Sequence, residues 1–193
     1  DVVCVVDIEG RFLSVSAASE RVFGYRPEEM IGRTAFELMH PDDRAVNRAL
    51  VKQINSGKPS HDHENRYIHK DGHIVHIMWS AQWLEAEQVR VGVARDITRR
   101  KRAEAVQAAL YAVSEAAHAA GDLQMLYGRV HEVMAQLLPA QHFCVALYDA
   151  ASDQLSLTYQ VEQCATPAAT RRFCAEVIRT GNALLLTPET ASH

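Results

Sequence analysis

Hydrophobic and polar positions change period several times along the chain, and each change predicts an element. Residues 2–7 carry a β-branched apolar run and read as a strand. Glu9-Gly10 makes a tight turn and residues 11–15 return as a second strand, so a hairpin is expected at the N-terminus. Ser16 can cap a short helix that runs to Phe23 and stops at Gly24. Pro27 suits a first helical position, Glu28 and Glu29 face the positive end of the helix dipole, and Gly32 ends that helix. Pro41-Asp42-Asp43 repeats the device. It opens a helix with Val46, Leu50 and Ile54 on one face, closed by Ser56-Gly57. Strands then replace helices. Residues 63–70 and 73–83 flank Asp71-Gly72, a pair that favours a two-residue type I′ turn, and residues 89–97 supply a last strand.

Residues 1–98 therefore read as an α+β domain: one antiparallel sheet, with short helices inserted between two groups of strands. A space between such a sheet and its helices suits a small-ligand pocket. Further on, Leu123, Leu126, Val130, Val133 and Leu137 mark one face of a helix over residues 122–138, ended by Pro139. Residues 143–148 and 155–161 read as strands around a turn at 149–153. Residues 170–179 read as a helix closed by Gly181, and residues 184–186 as another strand.

Composition narrows the class. The chain has 193 residues, 48% hydrophobic and 23% charged, with a formal net charge of −4. This is the profile of an ordinary globular protein with no basic excess for nucleic acid. No apolar run approaches the roughly 18 residues of a membrane helix. No signal peptide is read at the start. The opening at Asp1-Val2-Val3, without Met and already strand-like, leads us to expect a preceding segment. Cys4, Cys144, Cys164 and Cys174 show no CxxC spacing and are expected to be reduced thiols, which points to a cytoplasmic location.

Several stretches resemble the PAS sensory family in order: "VVDIEGRFLSVSAASERVFGYRPEEMIGR", "HPDDR", "HKDGH" and "DITRRKRAE". The family often carries Asn where this chain has Ser16. A second resemblance covers "LYAVSEAAHAAGDLQMLYGRVHEVMAQLLPAQHFCVALYDAASDQLSLTYQV" and "VIRTGNALLLTPE", which are similar to the front half of a GAF domain. The organisation expected is a PAS domain over 1–98, a linker or signalling helix over 99–120 and a partial GAF domain over 121–193. The PAS resemblance implies a pocket, for which Phe23, Leu38, Leu50 and Ile54 are candidate lining residues; packing in the core is the competing reading. It also implies that Asp96, Ile97 and Thr98 carry a signal from the last strand to the output helix. Asp96 is expected to bond back to the domain or to the basic run, and Thr98 to cap the helix. No flavin-type "NCRFLQ" segment occurs, and no His lies between Asp42 and Ser56 to hold haem, so no cofactor is expected beyond a small organic ligand or none.

Arg99, Arg100, Lys101 and Arg102 are read as solvated charge rather than a nucleic-acid patch, because no aromatic residues interleave them. Ala103, Val106, Leu110, Val113, Ala117 and Ala120 form a short heptad seam. It could pair with a second copy in a homodimer, or pack within the chain. His61, His63, His69, His73 and His76 crowd one hairpin. With a two-residue turn, His69 and His76 would be diagonal neighbours, which gives two ligands and no third, so no metal is expected. No GxSxG, HExxH or P-loop pattern appears, and Asp42-Asp43 and Glu28-Glu29 are explained by the helix dipole. The functional expectation is a sensory, signal-transmitting module of a bacterial signalling protein. Its output domain would be a histidine kinase or a diguanylate cyclase or phosphodiesterase. The alternative is a ligand-free PAS-type dimerisation module of a transcriptional regulator.

Overall fold

In a computed structural model of the chain, β1 (Val2–Val6) and β2 (Phe12–Val15) form the N-terminal hairpin, with Cys4 opposite Val15. The structure describes residues 1–119, 121–137, 143–161 and 167–182. Four short helices follow: α1 (Ala18–Phe23), α2 (Pro27–Met30), α3 (Ala35–Leu38) and, after a 3-10 turn at Pro41–Asp43, α4 (Arg44–Asn55). Strands β3 (Ser60–Ile68), β4 (Ile74–Leu84) and β5 (Val89–Asp96) complete an antiparallel sheet of order β2-β1-β5-β4-β3. Strand β1 joins the two groups, since Cys4 also pairs with Gly92 of β5. The sheet is the expected one.

Strand alternation decides the core. Val2, Cys4 and Val6 point to the helices, as do Val75 and Ile77 of β4, and they bury against Phe23, Met30 and Leu38. Burying a side chain such as Phe23 stabilises the fold by about 1.5–3 kcal/mol. Gly24, at φ 79°, stops α1 in the left-handed conformation that glycine tolerates.

Local details depart from expectation in physically clear ways. Ser16 does not cap α1; its Oγ accepts the Val3 N–H at 3.1 Å instead. Helix α3 is unforeseen, though its signal was present: Glu37 Oε1 accepts the Thr34 N–H at 2.9 Å in a capping box. Val46 is 65% exposed, because Asn47 turns inward to hydrogen-bond Asn65 and rotates the helix face by one position. The β3–β4 connection is a three-residue loop rather than a two-residue turn. His69 N–H donates to the His73 carbonyl, Gly72 N–H donates to the His69 carbonyl, both at 2.8 Å, and Gly72 sits at φ 95°. A turn followed by a left-handed glycine matches strand twist and moves the register by one. Tyr67 therefore faces Val75, and Arg66 faces His76. That register keeps Tyr67 and Val75 together on the buried face.

Packing divides the chain into residues 1–104 and 105–193. Helix α5 (Thr98–Ala119) crosses this division. It is followed by α6 (Leu123–Leu137), the antiparallel pair β6 (Phe143–Asp149) and β7 (Gln154–Val161), and α7 (Pro167–Thr180). Asp122 Oδ1 caps α6 by accepting the Met125 N–H at 2.8 Å. Leu126, Val130, Val133 and Leu137 are half-buried, while Leu123 at the first position is exposed. Tyr159 meets Phe143 edge-on at 6.1 Å, and His131 stacks on Phe143 at 5.1 Å. Among the described residues after 104, none is fully buried. The expected strand at 184–186, and Ala120, Pro139 and Cys164, lie outside the described residues.

Candidate functional site

A cavity lies between the sheet and helices α3 and α4. The space open to the centre of a water-sized sphere is about 70 Å³, several times the ~10–15 Å³ that admits one water. Most of its wall is apolar, from Val6, Phe12, Phe36, Met39, Val51 and the expected pair Leu50 and Ile54. The other two candidates, Phe23 and Leu38, belong to the packed core and do not line it.

Polar atoms enter this wall from the inward positions of three strands. Asn65 of β3 is fixed by a chain of amides. Asn47 Nδ2 donates to the Asp43 carbonyl at 2.8 Å, so Asn47 Oδ1 must accept, and Asn65 Nδ2 donates to it at 2.9 Å. Asn65 Oδ1 is left without a partner, as are His63 Nε2 and Trp79 Nε1, and all three residues line the cavity. The Tyr67 hydroxyl lies beside Trp79 and Asn65 in the buried interior, and burial raises its pKa. Burial likewise pushes the Cys4 thiol up to about 12, which keeps it a neutral thiol rather than a nucleophile.

Arg90 of β5 shares a phase with Gly92 and Ala94, and so points inward. It is 7% exposed. Its Nη1 donates to Asn55 Oδ1 at 2.8 Å, and desolvation lowers its pKa. Sequence reasoning passed over Arg90, Asn65 and Trp79. The signal for Arg90 was its place in the alternation Arg90-Val91-Gly92-Val93-Ala94, where its neighbours on the same face are too small to fill the space beside it.

The strand-to-helix junction brings Asp96, Ile97 and Thr98 together with β4. Asp96 Oδ1 accepts the Thr98 N–H at 2.8 Å. Ile97 N–H donates to the His76 carbonyl, and Thr98 Oγ1 accepts the His76 N–H, each at 2.9 Å. The two polar roles are exchanged relative to expectation: Asp96 supplies the oxygen at the helix start, and Thr98 holds the sheet. The basic run is only partly solvated. Glu64, on the outward face of β3, accepts from Arg100 Nη2 and Lys101 Nζ at 2.6 Å each, and these cations hold its carboxyl below its usual range.

Two other expectations change. Asp43 does more than face a dipole: its carboxylate takes Arg66 Nη2 at 2.6 Å and the Arg66 backbone N–H at 2.7 Å, which pins the start of α4 to the outer strand β3. The register shift separates His69 from His76 and stacks it on His73 at 4.3 Å. The third donor is Asp71, whose Oδ1 lies 2.9 Å from His69 Nδ1 and 2.5 Å from His73 Nδ1. Asp71 also accepts the His73 N–H at 3.2 Å, which leads the causes that pull its carboxyl down to about 2. These contacts close the turn on itself.

Residues 12–93 match the family model described as the PAS fold. A PAS domain from Colwellia psychrerythraea is 30% identical, over 51% of this chain and 86% of its own, at a TM-score of 0.45. Residues 12–93 form a PAS domain. A domain of a sensory box sensor histidine kinase/response regulator from Geobacter sulfurreducens is 26% identical over 50% of this chain and 82% of its own, at a TM-score of 0.45. The N-terminal domain of a diguanylate cyclase with PAS/PAC sensor from Marinobacter aquaeolei is 21% identical over 52% and 97%, at a TM-score of 0.46. No curated protein matches the chain. The matched span contains most of the cavity wall, and the α5 junction follows directly after it. Among the described residues no helix is long and apolar enough to cross a membrane.

Proposed function

We propose that this chain is the sensory and signal-transmitting module of a bacterial signal-transduction protein. Its PAS cavity senses a small molecule and its α5 helix passes the state of that cavity to an output domain, a histidine kinase or a diguanylate cyclase or phosphodiesterase. The observation that carries this reading is the alternation along β3. His63 and Asn65 line the cavity, while Glu64 between them holds Arg100 and Lys101 of α5. A ligand that shifts β3 acts on both faces at once. Such a switch needs a bias of only a few kcal/mol; the part-exposed pairs of Glu64 with Arg100 and Lys101 contribute up to about 1 kcal/mol each.

The reading includes a cytoplasmic location and a homodimer. Val106, Leu110 and Tyr111 are exposed along α5, Leu110 by 68%, which leaves Leu110 free to meet a second copy. The order helix, strand, strand, helix after residue 121 fits the start of a GAF-like domain.

The test uses the intact protein with its output domain. Asp96→Ala and Thr98→Ala should each stay folded by thermal melt yet alter the output response to signal. Two folded variants with a normal response would reduce the junction to a connector. Light scattering at several concentrations tests the dimer, which Leu110→Glu should dissociate; a monomer at every concentration refutes it.

A further inference from the structure

We propose that the cavity takes a small organic anion, a monocarboxylate with a short apolar body, whose carboxylate pairs with Arg90. This rests on the reading of the cavity as the sensor site and names the class of molecule sensed.

Arg90 is the only arginine fully buried among the described residues. Buried guanidinium groups are normally paired, because desolvation of an isolated charge is costly. Arg66, which is less buried, has its carboxylate in Asp43. Arg90 has none: among the described residues no Asp or Glu lies within ion-pair distance, and its one hydrogen bond goes to the neutral amide of Asn55. Asp7 is the acid close enough to influence it, but its carboxylate lies beyond ion-pair distance from Arg90 and accepts the Arg11 N–H at 2.8 Å instead. The fold thus places an unpaired cation on the wall of an apolar cavity. The planar fork of a guanidinium is matched by a carboxylate, which it can hold through two parallel hydrogen bonds.

The rest of the wall sets the remainder of the ligand. Val6, Leu50, Val51 and Ile54 offer apolar contact, and Arg90 is the one permanent cation of the wall. A phosphate, with more charge, would be only partly neutralised by it. The volume limits the body to a short chain or one small ring. Trp79 Nε1 and Asn65 Oδ1 leave room for one further polar group on the ligand.

The test compares matched acids and amides on the full chain: butyrate against butyramide, and benzoate against benzamide, at constant ionic strength. The chain has two tryptophans, so a Trp83→Phe background leaves Trp79 as the reporter, read by fluorescence titration beside calorimetry. The acids should bind about ten- to a hundredfold tighter than their amides. Arg90→Gln should erase the preference, and Arg90→Lys should keep part of it. On the unsubstituted arginine, acid affinity should also fall as pH drops through the acid's own pKa, with the amide unaffected. Amides that bind as tightly as acids overturn the anion and leave the sensor cavity standing. No binding by either class, with Trp79 unmoved, overturns both.

Discussion

Thr98 Oγ1 accepts the His76 N–H at 2.9 Å, and one residue earlier the Ile97 N–H returns to the His76 carbonyl. One peptide unit of β4 on each side of His76 is thereby committed to the first turn of α5. Thr98 is buried, so this hydrogen bond is shielded from water. Thr98→Val preserves shape and removes the acceptor. We expect a loss of about 1–3 kcal/mol in urea unfolding and faster hydrogen exchange at the His76 amide. An amide equally protected in the variant would mean that the hydroxyl does not hold the junction. Asp96→Asn keeps an acceptor for the Thr98 N–H and should remain near the parent stability.

Asp43 predicts an acid-sensitive step. The Arg66 guanidinium holds its carboxyl below the ordinary 3.8. A depressed folded pKa stabilises the fold above the unfolded value, and that contribution fades as pH falls below 3.8 through the folded pKa. Asp43→Asn should cost about 1–2 kcal/mol at neutral pH, since the pair is only partly buried. It should also flatten the decline of stability as pH falls below 3.8. An unchanged pH profile in the variant would remove Asp43 from the acid response.

Gly24 and Gly57 separate backbone strain from steric conflict. Both have positive φ, 79° and 85°. A Cβ on Gly24 would lie 2.5 Å from His69 Cε1 and 2.8 Å from Lys70 Cβ, whereas one on Gly57 meets nothing within 4 Å. Gly57→Ala should cost about 1 kcal/mol and Gly24→Ala clearly more, about 2–3 kcal/mol, by urea midpoint at fixed slope. Equal losses would show that His69 moves aside freely.

The two units should also differ in local stability. The first has a contiguous buried cluster from Val2 to Ala94, and no described residue beyond 104 is fully buried. Native-state hydrogen exchange should therefore be slowest in β1, β4 and β5 and faster throughout α6, β6 and β7. Comparable protection in both would contradict the burial pattern.

Much of this was legible in the residues. The N-terminal hairpin, the glycine stops and the five strands follow from local rules, because alternation, proline and glycine act within a few positions. The cavity was less legible. Leu50 and Ile54 were found because an apolar helical face is visible in sequence. Phe23 and Leu38 share that apolar character and lie in the packed core, and only three-dimensional packing tells the two cases apart. Arg90 was not singled out, because only pairing with β1 and β4 puts its strand at the centre of the sheet. The hairpin register turned on whether Gly72 ends a two-residue or a three-residue loop, a choice Asp71-Gly72 alone leaves open.

Strand β3 places cavity-lining atoms and anchoring atoms on alternate residues, with His63, Asn65 and Tyr67 inside and Glu64 and Arg66 outside. Deleting a single residue there would send Glu64 and Arg66 into the cavity and Asn65 to the surface, exchanging lining and anchor in one step. The turn at Glu85, Ala86, Glu87 and Gln88 carries no such parity, since it only joins Leu84 to its partner Val89. Length changes should accumulate at that turn and be purged from β3, even where individual side chains of β3 can be replaced.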